Sequence, residues 1–271
     1  MQAKENRSEN IEILKFWDPD QAPFLTFIVG VHWDEKAPIK AIAAFREFLA
    51  DKKILEPFRI IFANGEAISE NRRFIDKDLN NCFSDESSEA HESRIAQKLK
   101  LILPESKYNF DFHTTDFHIE EPYSIISIYN DEVRAIIEWI WISNAVFSDK
   151  DSLIKYATNW IWFEVWAEGE ESTVKNAFDL MLKILGHFWI ITNIVPPIKH
   201  DLSIFLIYQV IKKNLLSELD KNINDFKLIR KWDLIWISAE SEKIIAPENF
   251  YPIWINEWSY IRMAKKIYIE E

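Results

Sequence analysis

Short apolar runs alternate along this chain with segments whose apolar residues recur at helical spacing. FLTFIVGVH (24–32) is apolar up to a terminal His32, the pattern of a buried strand that presents a polar residue at its end. Pro38, tolerated in a first turn, opens a helix with Ile39, Ile42, Phe45 and Leu49 on one face. FRIIFA (58–63) predicts a second strand, NGEAISENRR (64–73) a loop, and Ser84 to Gln97 a polar loop running into a helix. KYNFDFH (107–113), again ending in a histidine, SIISIY (124–129) and NWIWFEVWAE (159–168) predict further strands. The clearest helix covers 172–188, with Val174, Ala177, Phe178, Met181, Leu182 and Leu185 on one face and Ser172 as N-cap. Alternating strands and helices indicate an α/β layered fold. Ligands of such folds sit beyond the carboxyl ends of strands, where His32 and His113 fall.

The character changes after Pro196-Pro197. LSIFLIYQVIKK, FKLIRKWDLIW and EKIIAPENFYPIWI are short β-like runs separated by turn residues. The expected organisation is a polar N-terminal segment (1–20), a catalytic α/β domain (21–197) and a smaller C-terminal β domain (198–271).

The 271 residues, 48% hydrophobic and 28% charged, have the balance of an ordinary globular protein. A net charge of −12, with no long basic stripe along the chain to neutralise phosphates, argues against a nucleic-acid partner. No run is long and apolar enough for a membrane span, so neither a nucleic acid nor a membrane is an expected partner. Self-association into a homo-oligomer is compatible with the composition. Cys82 is the only cysteine, which removes a disulfide framework. Met1 to Asn10 is polar with both charge signs, unlike a signal peptide, and the expected location is the cytoplasm.

One count is abnormal: 12 Trp stand against 4 Gly, where a usual share of ~7% would give roughly 19 glycines. Several tryptophans, including Trp33 and those of KWDLIWISAE and YPIWINEWSY, sit where a turn or strand end suits glycine. The expectation is that many are glycine in the organism, through a UGA codon that some genetic codes read as tryptophan and others as glycine.

Three stretches carry candidate chemistry: VHWDE (31–35), RRFIDKDLN (72–80) and DFHTT (111–115). His32 and Glu35 have HxxE spacing, and His113 ends a separate apolar strand. Two imidazoles and one carboxylate leave a coordination position open on tetrahedral zinc, as catalytic zinc sites do, so one Zn2+ per chain is expected. His118 is the rival ligand, whereas His91, His187 and His200 lie in polar or helical contexts. Cys82 reads as a small buried residue. A non-ligand carboxylate must handle protons, and Glu164, late in an apolar strand, is the candidate base. Glu168, Glu170 and Glu171 read as a solvated turn. Arg73 and Asn80 are expected to face substrate, with Arg73 able to stabilise an oxyanion or grip a carboxylate. Asp76 and Asp78 are expected to fix the loop.

The ordered motifs VHWDE, ANGEAI…RRFIDKDLN, DFHTT and FEVWAEG over about residues 24–170, with YPIWINEWSY near the C-terminus, resemble the succinylglutamate desuccinylase/aspartoacylase family of the zinc carboxypeptidase superfamily. The family's HGNE is HWDE here, with Trp33 at the glycine, and its glutamate before x-Gly is Glu164-Val165-Trp166, again with Trp at the glycine. The resemblance implies an α/β/α sandwich with a mixed sheet, and a C-terminal β domain that narrows the active-site entrance. It implies zinc ligands His32, Glu35 and His113, catalytic Glu164 and Arg73, and substrate contacts from Arg73, Asn80, Asn81 and Tyr260. It also implies hydrolysis of a small amide such as an N-acyl amino acid. Asn81 replaces an arginine that would grip the substrate carboxylate, which leaves a carboxypeptidase-like peptidase open. A catalytically inactive metal- or ligand-binding relative stays open if Trp33 and Trp166 are genuine.

Overall fold

The computed structural model describes residues 11–16, 20–84, 88–148, 156–192, 201–212, 218–220, 222–238, 241–253 and 260–267. Ten strands build one mixed sheet. Across it they run β1 (Glu12–Lys15), β3 (Phe58–Phe62), β2 (Leu25–Val29), β4 (Tyr108–Thr115), β7 (Trp160–Ala167), β5 (Tyr123–Ile126), β6 (Asn144–Phe147), β8 (Ser203–Lys212), β13 (Tyr260–Ile267) and β12 (Tyr251–Ile253). The run β3-β2-β4-β7 is parallel, and β7 to β5 is the first antiparallel step beyond it. Every residue of β2 and β4 is buried; β2 reads as an almost unbroken apolar run, whereas β4 (YNFDFHTT) alternates aromatic with polar residues.

The period-2 alternation of β2 sorts its side chains onto two faces. Leu25, Phe27 and Val29 pack with α1 (Lys36–Leu49), α4 (Asp131–Trp139) and α5 (Glu171–His187). Ile28 packs on the other face with Ile61 and with Ile95, Ala96 and Leu99 of α3 (His91–Ile102). The result is the expected α/β/α sandwich. Phe27 sits at its centre, with the rings of Phe45, Phe58, Phe110 and Phe112 at 5.8, 6.1, 6.0 and 5.7 Å. Truncating such a ring to alanine costs about 3–5 kcal/mol.

Several local expectations need correction. The stretch expected as a loop at 64–73 contains helix α2 (Gly65–Glu70). Asn64 caps it by accepting the Ala67 N–H, and Asn71 ends it with a left-handed φ of 59°. Ser172 is inside α5, and Glu170 holds the N-cap position. Strand β4 runs two residues past His113. Elements β1, β6 and α4 lie in stretches that had shown no clear pattern.

Residue 198 does not mark a break in the sheet. Strand β8 pairs in parallel with β6, and β13 and β12 follow it in the same sheet. What stands apart is a three-stranded sheet of β9 (Glu218–Leu219), β10 (Leu234–Ile237) and β11 (Lys243–Ile245). It has its own small core around Ile235, Trp236 and Phe250. Among the described residues no helix is long and apolar enough to cross a membrane.

Candidate metal centre and active site

The site grows from the carboxyl ends of the central parallel strands. After β2 the chain turns sharply at Gly30, whose φ is +68° and whose absent Cβ would lie 2.7 Å from Ile68 Cδ1. Glycine adopts this positive φ without strain and leaves the end of the Ile68 side chain where it lies. The turn delivers His32, and Glu35 follows at the N-cap of α1. A carboxylate there would ordinarily cap its own helix, but Glu35 makes no such bond. Glu168, just past β7, does this instead: its Oε2 accepts the Ala37 N–H at 3.0 Å and the Thr114 hydroxyl at 3.3 Å. Glu168 is therefore a structural cap and not part of a purely solvated turn.

Freed from capping, Glu35 faces both imidazoles. Its Oε1 is 2.7 Å from His32 Nδ1, and its Oε2 is 2.7 Å from His113 Nδ1. The ligand atoms of His32, Glu35 and His113 all lie within 4.8 Å of one another, and all three residues are buried. Each ring is held from behind by a second carboxylate. Asp78 Oδ1 lies 3.1 Å from His32 Nε2, and Asp111 Oδ2 lies 3.0 Å from His113 Nε2. A carboxylate on the far nitrogen fixes the tautomer and aims the near nitrogen inward, the usual support of a metal-binding histidine.

These residues fit a divalent ion. Two imidazoles and one carboxylate suit zinc. His113 Nδ1 has no properly aligned hydrogen bond despite its closeness to Glu35, and Glu164 Oε2 and Asn80 Oδ1 are also buried without a partner. Buried polar atoms are rarely left this way unless something else satisfies them.

Charge in the cluster is strongly coupled. Burial opposes charge on His32, but Glu35 and Asp78 outweigh it and lift the ring to about 9. His113 is raised well above the usual histidine value, because Asp111 and Glu35 overcome its burial. Glu35 is held below the carboxylate range by both histidines against its own desolvation. Asp78 falls to about 2, as its bonds to His32 and its own turn overcome partial burial.

Glu164 behaves in the opposite way. It lies on β7 directly opposite His113 of β4, and burial lifts its carboxyl to about 8, with His113 partly offsetting and Glu35 adding to the rise. Its Oε1 accepts the Trp162 indole N–H at 3.2 Å. A carboxyl poised near neutral pH beside the candidate metal cluster has the properties of a general base.

The middle motif closes the site. Arg73 donates to both oxygens of Asp34 at 2.9 Å and lies 3.5 Å from Glu35 Oε1, and these acids raise its already high pKa despite desolvation. Asn80 is buried, and its N–H binds the same Asp78 oxygen that holds His32. Asn81 is exposed. Tyr260 opens β13 opposite Lys212, and its side chain lies outside the described residues.

The rival His118 pairs with Glu170 at 2.7 Å on the surface, away from the cluster. His91 pairs with Glu66, and His200 lies outside the described residues. Cys82 is fully buried with its thiol on the Asp78 carbonyl.

Two structural contributors lie outside the residues expected from the sequence. Glu92 binds the N–H groups of Ile75, Asp76 and Lys77 and the Asn64 amide, so it holds the motif loop. Trp162 stacks on His113, with ring centroids 4.1 Å apart. The period-2 rule places it on the face of Glu164, two residues on, and is the one signal that could have found it.

Residues 22–149 match the family model described as the Succinylglutamate desuccinylase/Aspartoacylase catalytic domain. The resemblance carried by the motifs therefore holds over that segment. No curated protein matches the chain. Solved structures share the fold. Succinylglutamate desuccinylase from Vibrio parahaemolyticus is 16% identical with a TM-score of 0.69, over 94% of this chain and 86% of that one. The corresponding enzyme from Chromobacterium violaceum is 15% identical with a TM-score of 0.68, over 92% and 86%. Murine aminoacylase 3 is 14% identical with a TM-score of 0.66, over 92% and 97%.

Proposed function

We propose that this chain, whose residues 22–149 belong to the succinylglutamate desuccinylase/aspartoacylase catalytic-domain family, is a zinc-dependent deacylase that hydrolyses the amide of a small N-acyl amino acid or similar compound. The observation that carries the reading is the convergence of His32, Glu35 and His113, with Glu164 directly across the sheet from His113.

Those three residues would hold the ion, which when bound supplies Lewis acidity and a more acidic water. Glu164 takes a proton from the attacking water at its partnerless Oε2 and later returns one to the departing amine. Arg73, close to the cluster and strongly cationic, stabilises negative charge that develops on the carbonyl oxygen. Asn80 and Tyr260 orient substrate, and the C-terminal strands narrow the approach. Exposed Asn81, where the family carries an arginine, is consistent with a substrate that does not depend on a carboxylate grip at this position. A cytoplasmic location accords with this chemistry.

A second reading has its own support. The Trp162 indole covers one face of His113, and a chain with genuine indoles at 33 and 166 as well would be a metal- or ligand-binding relative without turnover, as expected from those two positions.

Metal content measured on purified protein, followed by hydrolysis of a panel of N-acyl amino acids and short peptides, tests the proposal. Stoichiometric zinc with turnover of an N-acyl amino acid is the expected result. Zinc without turnover of any panel member favours the second reading, and turnover restricted to peptides favours a peptidase.

A further inference from the structure

Four tryptophans occupy backbone that side chains rarely adopt. Trp141 (φ 69°), Trp166 (136°), Trp189 (55°) and Trp232 (79°) all have positive φ. The other described non-glycine residues of this kind are Asn71, Asn159, Phe226 and Ser241. There a Cβ crowds the neighbouring carbonyl, so glycine dominates and asparagine is the usual exception.

Each conformation serves a definite purpose. Beyond α5, the Trp189 N–H binds Gly186 O at 3.1 Å and the Ile190 N–H binds Leu185 O at 2.9 Å. This pair of bonds is the helix-ending motif that places a left-handed glycine just past the cap. Beyond α4, the Ile142 N–H reaches Ile137 O at 3.2 Å across Trp141 in the same way. The turn 230–233 closes with the Asp233 N–H on Arg230 O at 3.0 Å, and its third residue, Trp232, has the φ that a type II turn demands of glycine. Trp166 sits in a bulge of β7, where the pairing steps from His113↔Glu164 to Thr115↔Ala167. Its φ belongs to a region essentially restricted to glycine.

Burial of the indole does not explain three of these positions. Trp189, Trp232 and Trp141 are 72%, 67% and 44% exposed. Trp160 and Trp236, by contrast, are buried and at ordinary φ, as packed tryptophans should be. We infer that positions 141, 166, 189 and 232 are glycine in the natural protein, from a UGA codon that the source organism reads as glycine. At 166 this removes an indole from the strand segment beside Glu164. The inference stands on backbone geometry and holds whether or not the chain is a hydrolase.

Codon identity and peptide mass spectrometry of the protein from its source cells test it. UGA at all four positions, with glycine in the peptides, is expected. UGG at any of the four, or tryptophan in their native peptides, overturns the inference at that position. A second measurement uses the protein translated with tryptophan. W189G and W232G should each raise the thermal midpoint, by about 2–4 °C, while W160G lowers it. A fall in both surface variants would overturn the reading.

Discussion

His113 and Glu164 are direct partners across two parallel strands, one inside the candidate metal cluster and the other outside it. Their pairing separates holding an ion from moving a proton. Glu164→Gln should therefore leave zinc content unchanged and lower turnover of an N-acyl amino acid by about 10²–10⁴-fold, the usual worth of a positioned base. Zinc analysis beside steady-state kinetics checks this, and retained turnover would refute the assigned role.

The raised Glu164 carboxyl also makes a stability prediction for metal-free protein. The folded state keeps its proton up to about pH 8, whereas the unfolded chain releases it near the ordinary glutamate value. Between those values the folded state binds more protons, so this group's effect is to lower stability as pH rises. Glu164→Gln removes the effect. Its thermal midpoint should exceed the parent's above pH 8, and the gap should close towards acidic pH. A gap that widens on acidification would contradict the assignment.

The parts of this site that could be read from sequence lie where local pattern and chemistry coincide. Strands β2 and β4 are buried on both faces; β2 reads as a nearly continuous apolar run, and β4 as aromatic residues alternating with polar ones up to His113. Helix α2 has no such run, because it is short and half-exposed, and it depends on caps at Asn64 and Asn71. The structural roles of the carboxylates at 92 and 168 have no local signature for a different reason. Glu168 acts on the N–H of Ala37 and Glu92 on the loop at 75–77, pairings that arise only when distant segments meet. The continuity of the sheet past residue 198 was hidden likewise, since β8 joins β6 by pairing and not by any local feature.

Protons and metal compete for the same nitrogens. With His32 lifted to about 9 and His113 raised as well, the metal-free cluster is protonated at neutral pH. Zinc binding should release protons, and its affinity should rise as pH increases towards 9. Titration calorimetry in buffers of different ionisation enthalpy measures this directly. Equal heats in all buffers near neutrality would count against these histidines as ligands. His113→Ala should lose the metal altogether.

Asp111 reaches the cluster only through His113. Asp111→Asn keeps the shape but weakens the charge that orients the ring, and zinc affinity should fall about 10–100-fold. The Michaelis constant of metal-saturated enzyme should change much less than the zinc requirement. A competition assay with a chromophoric chelator distinguishes this from simple unfolding, which circular dichroism would show.

Glu168 gives a control in the opposite sense, because it supports the fold beside the site without belonging to the cluster. Its carboxylate takes over the capping of α1 that Glu35 has given up. Glu168→Ala leaves the Ala37 N–H and Thr114 hydroxyl without that acceptor, and should lower stability by about 1–2 kcal/mol. Chemical denaturation would report a lower midpoint with an unchanged slope. Zinc stoichiometry should remain that of the parent, since none of the three ligand side chains bonds to Glu168. Loss of metal without loss of stability would mean that Glu168, and not Glu35, completes the cluster.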